Sequence, residues 1–212
     1  MRAFTFENAT KIYFGGGCVK EHLLEAVKPY GETVMLAYGG GSIKTNGIYQ
    51  EVMDVLKLAG KQVIEFSGIM PNPTYSKVME GKKVVQENQV DLILAVGGGS
   101  VMDCSKAISM AAATDKDVWE EYWIKKGEID FEPVPVGVIV TVVGTGSEVN
   151  GEGVITHEEQ KIKTSRNYPR CNPVFAMMDP KYTYTVSPLQ TAAGGFDTLS
   201  HVMETYFSAP DE

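Results

Sequence analysis

Four short, almost unbroken apolar runs constrain this chain more than anything else in it: TVMLAY (33–38), QVIEF (62–66), DLILAV (91–96) and VGVIVTVV (136–143). Each is strand-length and lacks the clean polar alternation of a strand with one wet face. Such runs read as strands buried on both faces, the habit of a parallel sheet covered by helices. The segments between them have helical period: Ile48, Val52, Val55, Leu56 and Ala59 after the first, Val78 and Val85 after the second, Val101, Cys104, Ile108 and Ala111 after the third. An earlier helix carries Val19, Leu23, Leu24 and Val27. Within PNPTY, Asn72 is the expected N-cap and Pro73 the first helical residue. The expected class is α/β, with a parallel sheet between helices.

Two of the strand-to-helix turns share a sequence, YGGGSIK (38–44) and VGGGSVMD (96–103). Glycines there let backbone approach a ligand closely, and a helix N-terminus offers free N–H groups and partial positive charge to a phosphate. The plainer alternative is a tight turn with no ligand. Neither turn is G-x-G-x-x-G, and neither ends in the Gly-Lys-Ser/Thr of a P-loop, so ATP is the weaker expectation. A third polar turn, TVVGTGSEVN (141–150), offers the hydroxyls of Thr141, Thr145 and Ser147. Three turns at the carboxyl ends of neighbouring parallel strands would line one crevice, where open α/β sheets bind ligands.

The texture changes after residue 150. HEEQKIKTSRNYPR is polar and charged, and PVFAMMDPKYTYTVS is again apolar and aromatic. Ser187, Pro188 and Gln190 have the order of N-cap, first helical residue and capping-box partner. We therefore expect residues 1–186 to form the α/β domain and residues 187–212 to begin a helical one. On that helix Asp197 and His201 stand four apart, hence on one face. From the residues alone they are either two metal ligands or a structural hydrogen bond.

Net charge is −8 with a pI near 5.0, which argues against nucleic acid and anionic membrane as partners. The first residues have no signal-peptide core, and the longest apolar run (133–143) is too short to span a bilayer. Cys18, Cys104 and Cys171 are far apart and read as reduced thiols. A cytoplasmic protein is expected.

Taken in order, GGGSIK, GGGSVMDCSKAI, TVVGTGSEVN and DPKYTYTVSPLQTAAGGFDTLSHVMETYFS resemble the iron-containing alcohol dehydrogenases, in their butanol-dehydrogenase-like branch. The resemblance runs over the whole chain from FTFENATKIYFG onward. It implies a Rossmann-like dinucleotide-binding domain followed by an all-helical domain, with the active site between them. It implies that Gly97, Gly98, Gly99 and Ser100 cradle a pyrophosphate, with Asp103 close by. Thr141, Thr145 and Ser147 would contact the coenzyme, with Lys163 near it. Gly39, Gly40, Gly41, Ser42 and Lys44 would border the adenosine ribose, and Asn72 the edge of the same pocket. Family members that prefer NAD tend to carry an aspartate where this chain has Gly39; with Ser42 and Lys44 available to a 2′-phosphate, NADP is expected and NAD is the alternative.

The resemblance also makes Asp197 and His201 the first half of an Fe²⁺ or Zn²⁺ site whose two further histidines would lie beyond Glu212. His22 and His157 are read as ordinary surface histidines. The implied activity is hydride transfer between NAD(P)(H) and a small alcohol or aldehyde, with this chain by itself an inactive or weakly active fragment. The alternatives are a nucleotide-binding module without catalysis and a metal-dependent lyase on the dehydroquinate-synthase-like fold. A homodimer is implied too, and FTFENATKIYFG alternates enough to form an exposed hairpin at which chains could pair.

Overall fold

The structure is a computed structural model and describes residue 5 and residues 7–208. In chain order the principal elements are β1 (Lys11–Phe14), α1 (Cys18–Val27), β2 (Thr33–Tyr38), α2 (Ser42–Thr45), α3 (Ile48–Leu58), β3 (Gln62–Phe66), α4 (Tyr75–Glu87), β4 (Leu92–Gly97) and α5 (Gly99–Ala112). They continue with β5 (Val136–Val140), β6 (Glu152–His157), β7 (Ile162–Asn167), β8 (Phe175–Met178) and α6 (Pro188–Phe207). Six strands form one sheet in the order β1-β8-β5-β4-β2-β3, every neighbouring pair parallel. All four apolar runs are in it, and β2, β4 and β5 are buried nearly end to end.

Two cores explain the continuous apolar runs. Met35, Ala37, Ile93, Ala95, Val136, Val138 and Val140 face α4 and α5 on one side of the sheet. Val34, Leu36, Leu92, Leu94, Val96 and Ile139 face α1 and α3 on the other. The helical stripes expected from sequence supply the opposing surfaces: Val19, Leu23 and Val27; Ile48, Val52, Val55 and Leu56; Val78 and Val85; Val101, Cys104, Ile108 and Ala111 are all buried.

Four local features differ from expectation. Helix α4 begins later than PNPTY suggests: Thr74 is its N-cap, accepting from the Lys77 N–H at 3.2 Å, and Asn72 has φ 54°, outside any helix. The polar stretch after residue 150 is an antiparallel hairpin, β6–β7, which packs on α5. Residues 11–14 are not half of a hairpin but a parallel edge strand beside β8; the rest of that expectation falls partly on residues 1–4 and 6, outside the described residues. Finally, His22 and His157 are half-buried rather than plain surface groups. His22 stacks on Tyr13, and His157 lies between Tyr75 and Trp119, ring centroids 5.2 and 4.9 Å away.

Cys18, Cys104 and Cys171 are unbonded and buried, and burial pushes the Cys104 and Cys171 thiols up to about 12. No described helix is long and apolar enough to cross a membrane.

Candidate functional site

The chain leaves β2 toward β3 on one side, then returns to place β4 on the other side of β2. The carboxyl ends of β2 and β4 therefore flank the topological switch point, where loops diverge and leave a crevice. That crevice is a cavity of about 370 Å³, walled by Gly39, Gly40, Gly41, Ser42, Gly97, Gly98, Gly99, Ser100 and Thr141, with Gln190 reaching it from α6. Nine of the expected coenzyme residues thus meet in one place.

The glycines there serve two purposes. A Cβ at Gly40 or Gly41 would meet nothing within 4 Å, and Gly41 has φ +99°, so this turn presents bare backbone toward open space. At 97–99 the constraint comes from behind. A Cβ on Gly97 would press on Val101, one on Gly98 would stand 3.0 Å from Val142, and one on Gly99 would stand 2.8 Å from Thr145. Three elements converge here because nothing but hydrogen separates them. Among the described residues no side chain caps α5, so its first N–H groups are left to whatever occupies the cavity.

Asp103 and Ser147 do not reach this wall. They belong to a buried knot beneath it, centred on a lysine that sequence reasoning missed. Lys106, 2 % exposed, lies on the inner face of α5. Its ammonium donates to the Ser147 carbonyl (3.0 Å) and hydroxyl (2.7 Å) and to the Asn150 carbonyl (3.1 Å) and side-chain oxygen (3.2 Å). The Ser147 hydroxyl donates to Asp103 at 2.6 Å, and Asp103 also accepts from the Val154 N–H at 3.1 Å. Burial lowers Lys106 to about 8 and raises Asp103, outweighing their mutual attraction at 3.8 Å in both groups. The knot ties the third turn and the β6–β7 hairpin to α5. The sequence signal for it was Asp103 and Lys106, three apart, both on a stretch whose other residues are core.

Thr145 is exposed and stands beside Gly99, its hydroxyl accepting from the Ser147 N–H at 3.3 Å. Lys163 donates to the Asn72 side-chain oxygen at 2.6 Å, which places this pair next to Pro71 at the cavity rim. Lys44 is not on the wall. It pairs with Glu65, the one charge in QVIEF and a second residue that sequence reasoning passed over, at 2.9 Å.

Ser187 caps α6 as expected, its hydroxyl accepting from the Gln190 N–H at 3.2 Å with Pro188 at the first helical position. Gly194 lets this helix touch the third turn: a Cβ there would stand 2.8 Å from the Val143 carbonyl. One turn on, Asp197 and His201 approach to 3.7 Å, both about half exposed, with Asp197 facing Gly144. Carboxylate plus imidazole is a donor set suited to Fe²⁺ or Zn²⁺. Among the described residues no third ligating side chain joins them. The two fit half of such a site.

A parallel sheet whose switch-point crevice is lined by glycine turns and an uncapped helix N-terminus defines a Rossmann-like nucleotide-binding fold. Residues 9–180 match the family model described as iron-containing alcohol dehydrogenase. The chain is 44% identical over 207 residues to a probable NADH-dependent butanol dehydrogenase of Bacillus subtilis, covering 98% of this chain and 53% of that one. It is 38% identical over 211 residues to the NADPH-dependent aldehyde reductase YqhD of Escherichia coli, covering 99% and 54%. The crystal structure of NADH-dependent butanol dehydrogenase A from Thermotoga maritima superposes with a TM-score of 0.92 at 38% identity, over all of this chain and 53% of that one. The chain belongs to the iron-containing alcohol dehydrogenase family, and it spans about half the length of the curated relatives it matches.

Proposed function

We propose that this chain supplies the coenzyme seat and the first half of the metal site of an NAD(P)-linked, metal-dependent alcohol dehydrogenase or aldehyde reductase. The observation that carries the reading is the cavity at the β2/β4 switch point, with the bare α5 N-terminus on one wall and the Gly39–Gly41 turn on the other. In this reading Gly97–Ser100 hold the diphosphate through backbone amides, the 39–42 turn borders the adenosine ribose, and Thr141 and Thr145 contact the nicotinamide half. Asp103 and Ser147 act beneath the wall, with Lys106, to hold the third turn in place. Asn72 and Lys163 close the rim.

Asp197 and His201 would hold Fe²⁺ or Zn²⁺ beside the third turn. When both groups are bound, the metal polarises a small alcohol or aldehyde oxygen and the nicotinamide exchanges a hydride with the adjoining carbon. The chain's own contribution is placement: Gly194 brings the ligand-bearing helix against residues 143–144, so ligands and coenzyme cavity share one turn. Residues 187–212 then belong to a helical metal-binding domain, with residues 1–186 as the coenzyme domain. The names of the relatives support butanol-sized substrates, and a cytoplasmic homodimer completes the proposal.

Coenzyme titration tests it. A Cβ at Gly40 meets nothing, so Gly40→Val leaves the fold intact and fills the cavity. Wild-type protein should bind NADH or NADPH in calorimetry and the variant should not. Equal uptake by both proteins would place the coenzyme elsewhere and defeat the reading.

A further inference from the structure

Among the described residues, none that line the cavity carries a charged side chain. Discrimination between a 2′-phosphate and a 2′-hydroxyl then depends on charges just behind the wall. Lys44 is the first of these, one residue beyond Ile43 on α2. Its ammonium is 2.9 Å from Glu65 Oε2 and lies 5.3 and 4.5 Å from the ring centroids of Tyr38 and Tyr49.

Glu65 is itself fixed by further donors. The Tyr38 hydroxyl donates to it at 2.5 Å and the Tyr49 hydroxyl at 2.6 Å. It stands opposite Leu36 in the β2–β3 register, and that face of the sheet is the one covered by α1 and α3. Tyr38 ends β2, immediately before Gly39, and Tyr49 opens α3. Three elements around the first glycine turn therefore converge on one carboxylate. A carboxylate accepting from two phenols and an ammonium does not easily release the ammonium.

We infer that Glu65 is a specificity-determining residue: by holding Lys44 against Tyr38 and Tyr49 it cancels the positive charge beside the adenosine end of the cavity, and so favours the coenzyme with a plain 2′-hydroxyl over its 2′-phosphorylated counterpart. This rests on the coenzyme reading of the cavity proposed above, and it reverses the expectation of NADP drawn from Ser42 and Lys44 in sequence. A neutral ion pair offers a doubly charged phosphate little, whereas an unpaired ammonium at the same place offers it a charge-assisted contact. The wall retains the Ser42 hydroxyl, a neutral partner adequate for a ribose hydroxyl.

The test is calorimetric titration of NADH and NADPH into the wild-type chain, Glu65→Gln and the double variant Glu65→Gln/Lys44→Met. Glutamine keeps an acceptor for one tyrosine and turns an N–H donor to the hydroxyl oxygen of the other, so the cluster holds together while its negative charge is removed. Wild type is expected to bind NADH at least fivefold more tightly than NADPH. In Glu65→Gln the NADPH affinity should rise at least fivefold with NADH held within twofold, and the double variant should lose that gain. A wild type that prefers NADPH overturns the inference, as does an NADPH-to-NADH ratio that moves less than fivefold in Glu65→Gln or a gain that survives in the double variant. If wild type takes up neither coenzyme, the reading of the cavity fails first and the inference goes with it.

Discussion

Replacing Lys106 by methionine isolates what the buried knot contributes. Methionine is close to the lysine stem in length and keeps its packing, so the perturbation is loss of the ammonium. Three acceptors then lose this donor, the carbonyl and hydroxyl oxygens of Ser147 and the Asn150 carbonyl, while the Asn150 side-chain oxygen keeps the Glu152 N–H. Asp103 keeps its bonds from Ser147 and Val154 but loses its compensating charge. Breaking one partner out of a buried pair costs about 3–5 kcal/mol, and each stranded buried acceptor about 1–3 kcal/mol on its own. Those figures overlap, because stranding the acceptors is part of breaking the pair. The expected loss is therefore about 4 kcal/mol, a large share of the ~5–15 kcal/mol that holds a folded domain.

Urea unfolding followed by circular dichroism reads this directly, and the double variant Lys106→Met/Asp103→Asn should recover part of the loss because it leaves no lone charge. The pH dependence supplies a second readout. The folded value for Lys106, about 8, lies below its ordinary 10.5, so between these the unfolded chain binds the extra proton. Stability from this group then rises as pH goes from 8 to 10.5, and the gap between wild type and Lys106→Met should widen over that window. A loss below about 1 kcal/mol would refute a buried, hydrogen-bonded Lys106, and a gap that narrows with pH would refute burial as the dominant influence on its proton.

Three further outcomes are expected. Gly81→Ala drives a Cβ into the Ile108 side chain where α4 crosses α5, and should destabilise by about 1–2 kcal/mol despite alanine's better helix propensity; Gly81→Ala/Ile108→Val should regain most of it in urea. Ser187→Ala removes the α6 cap at a cost of about 1 kcal/mol, read as faster amide exchange over the first turn of that helix and unchanged protection in β4. Glu65 is held down to about 2 by hydrogen bonds from Tyr38, Tyr49 and Lys44, below its ordinary 4.5, so it stabilises the fold above pH 4.5 and that contribution disappears as pH falls toward 2. Acid titration of Glu65→Gln should lack this component; an acid-unfolding curve identical to wild type's would contradict it.

The sheet was legible because burial on both faces leaves a direct mark: β2, β4 and β5 are runs with scarcely a polar residue, and only a covered parallel sheet uses such runs. The crevice was legible for a related reason, since glycine repeats at two strand ends have few other uses. What could not be read was anything decided by strand order or by facing side chains. Residues 152–167 look like a polar loop because that hairpin is wet on one side and carries only alternate buried positions, Gly153 and Ile155, on the other. Asn72 was misread as a cap because Asx-Pro and Thr-x-x patterns compete within PNPTY, and the hydroxyl of Thr74 took the helix.

Lys106 and Glu65 show where a linear reading stops. Both are charges in otherwise apolar stretches, and both take their meaning from residues about 40 and 16–27 positions away. Yet they have opposite physical characters. Lys106 is out of water, so its neighbours are obliged to compensate it and the third turn is pinned whether or not ligand is present. Glu65 is still partly wet, so water screens its pairing with Lys44 and limits what the pair adds to stability, while its three donors keep it in place to shape the field felt by a charged ligand. Stability therefore reports on the first and coenzyme choice on the second. Denaturation at neutral pH should register Glu65 only through the modest contribution that disappears in acid, and a change in coenzyme ratio is not expected to accompany the loss of Lys106.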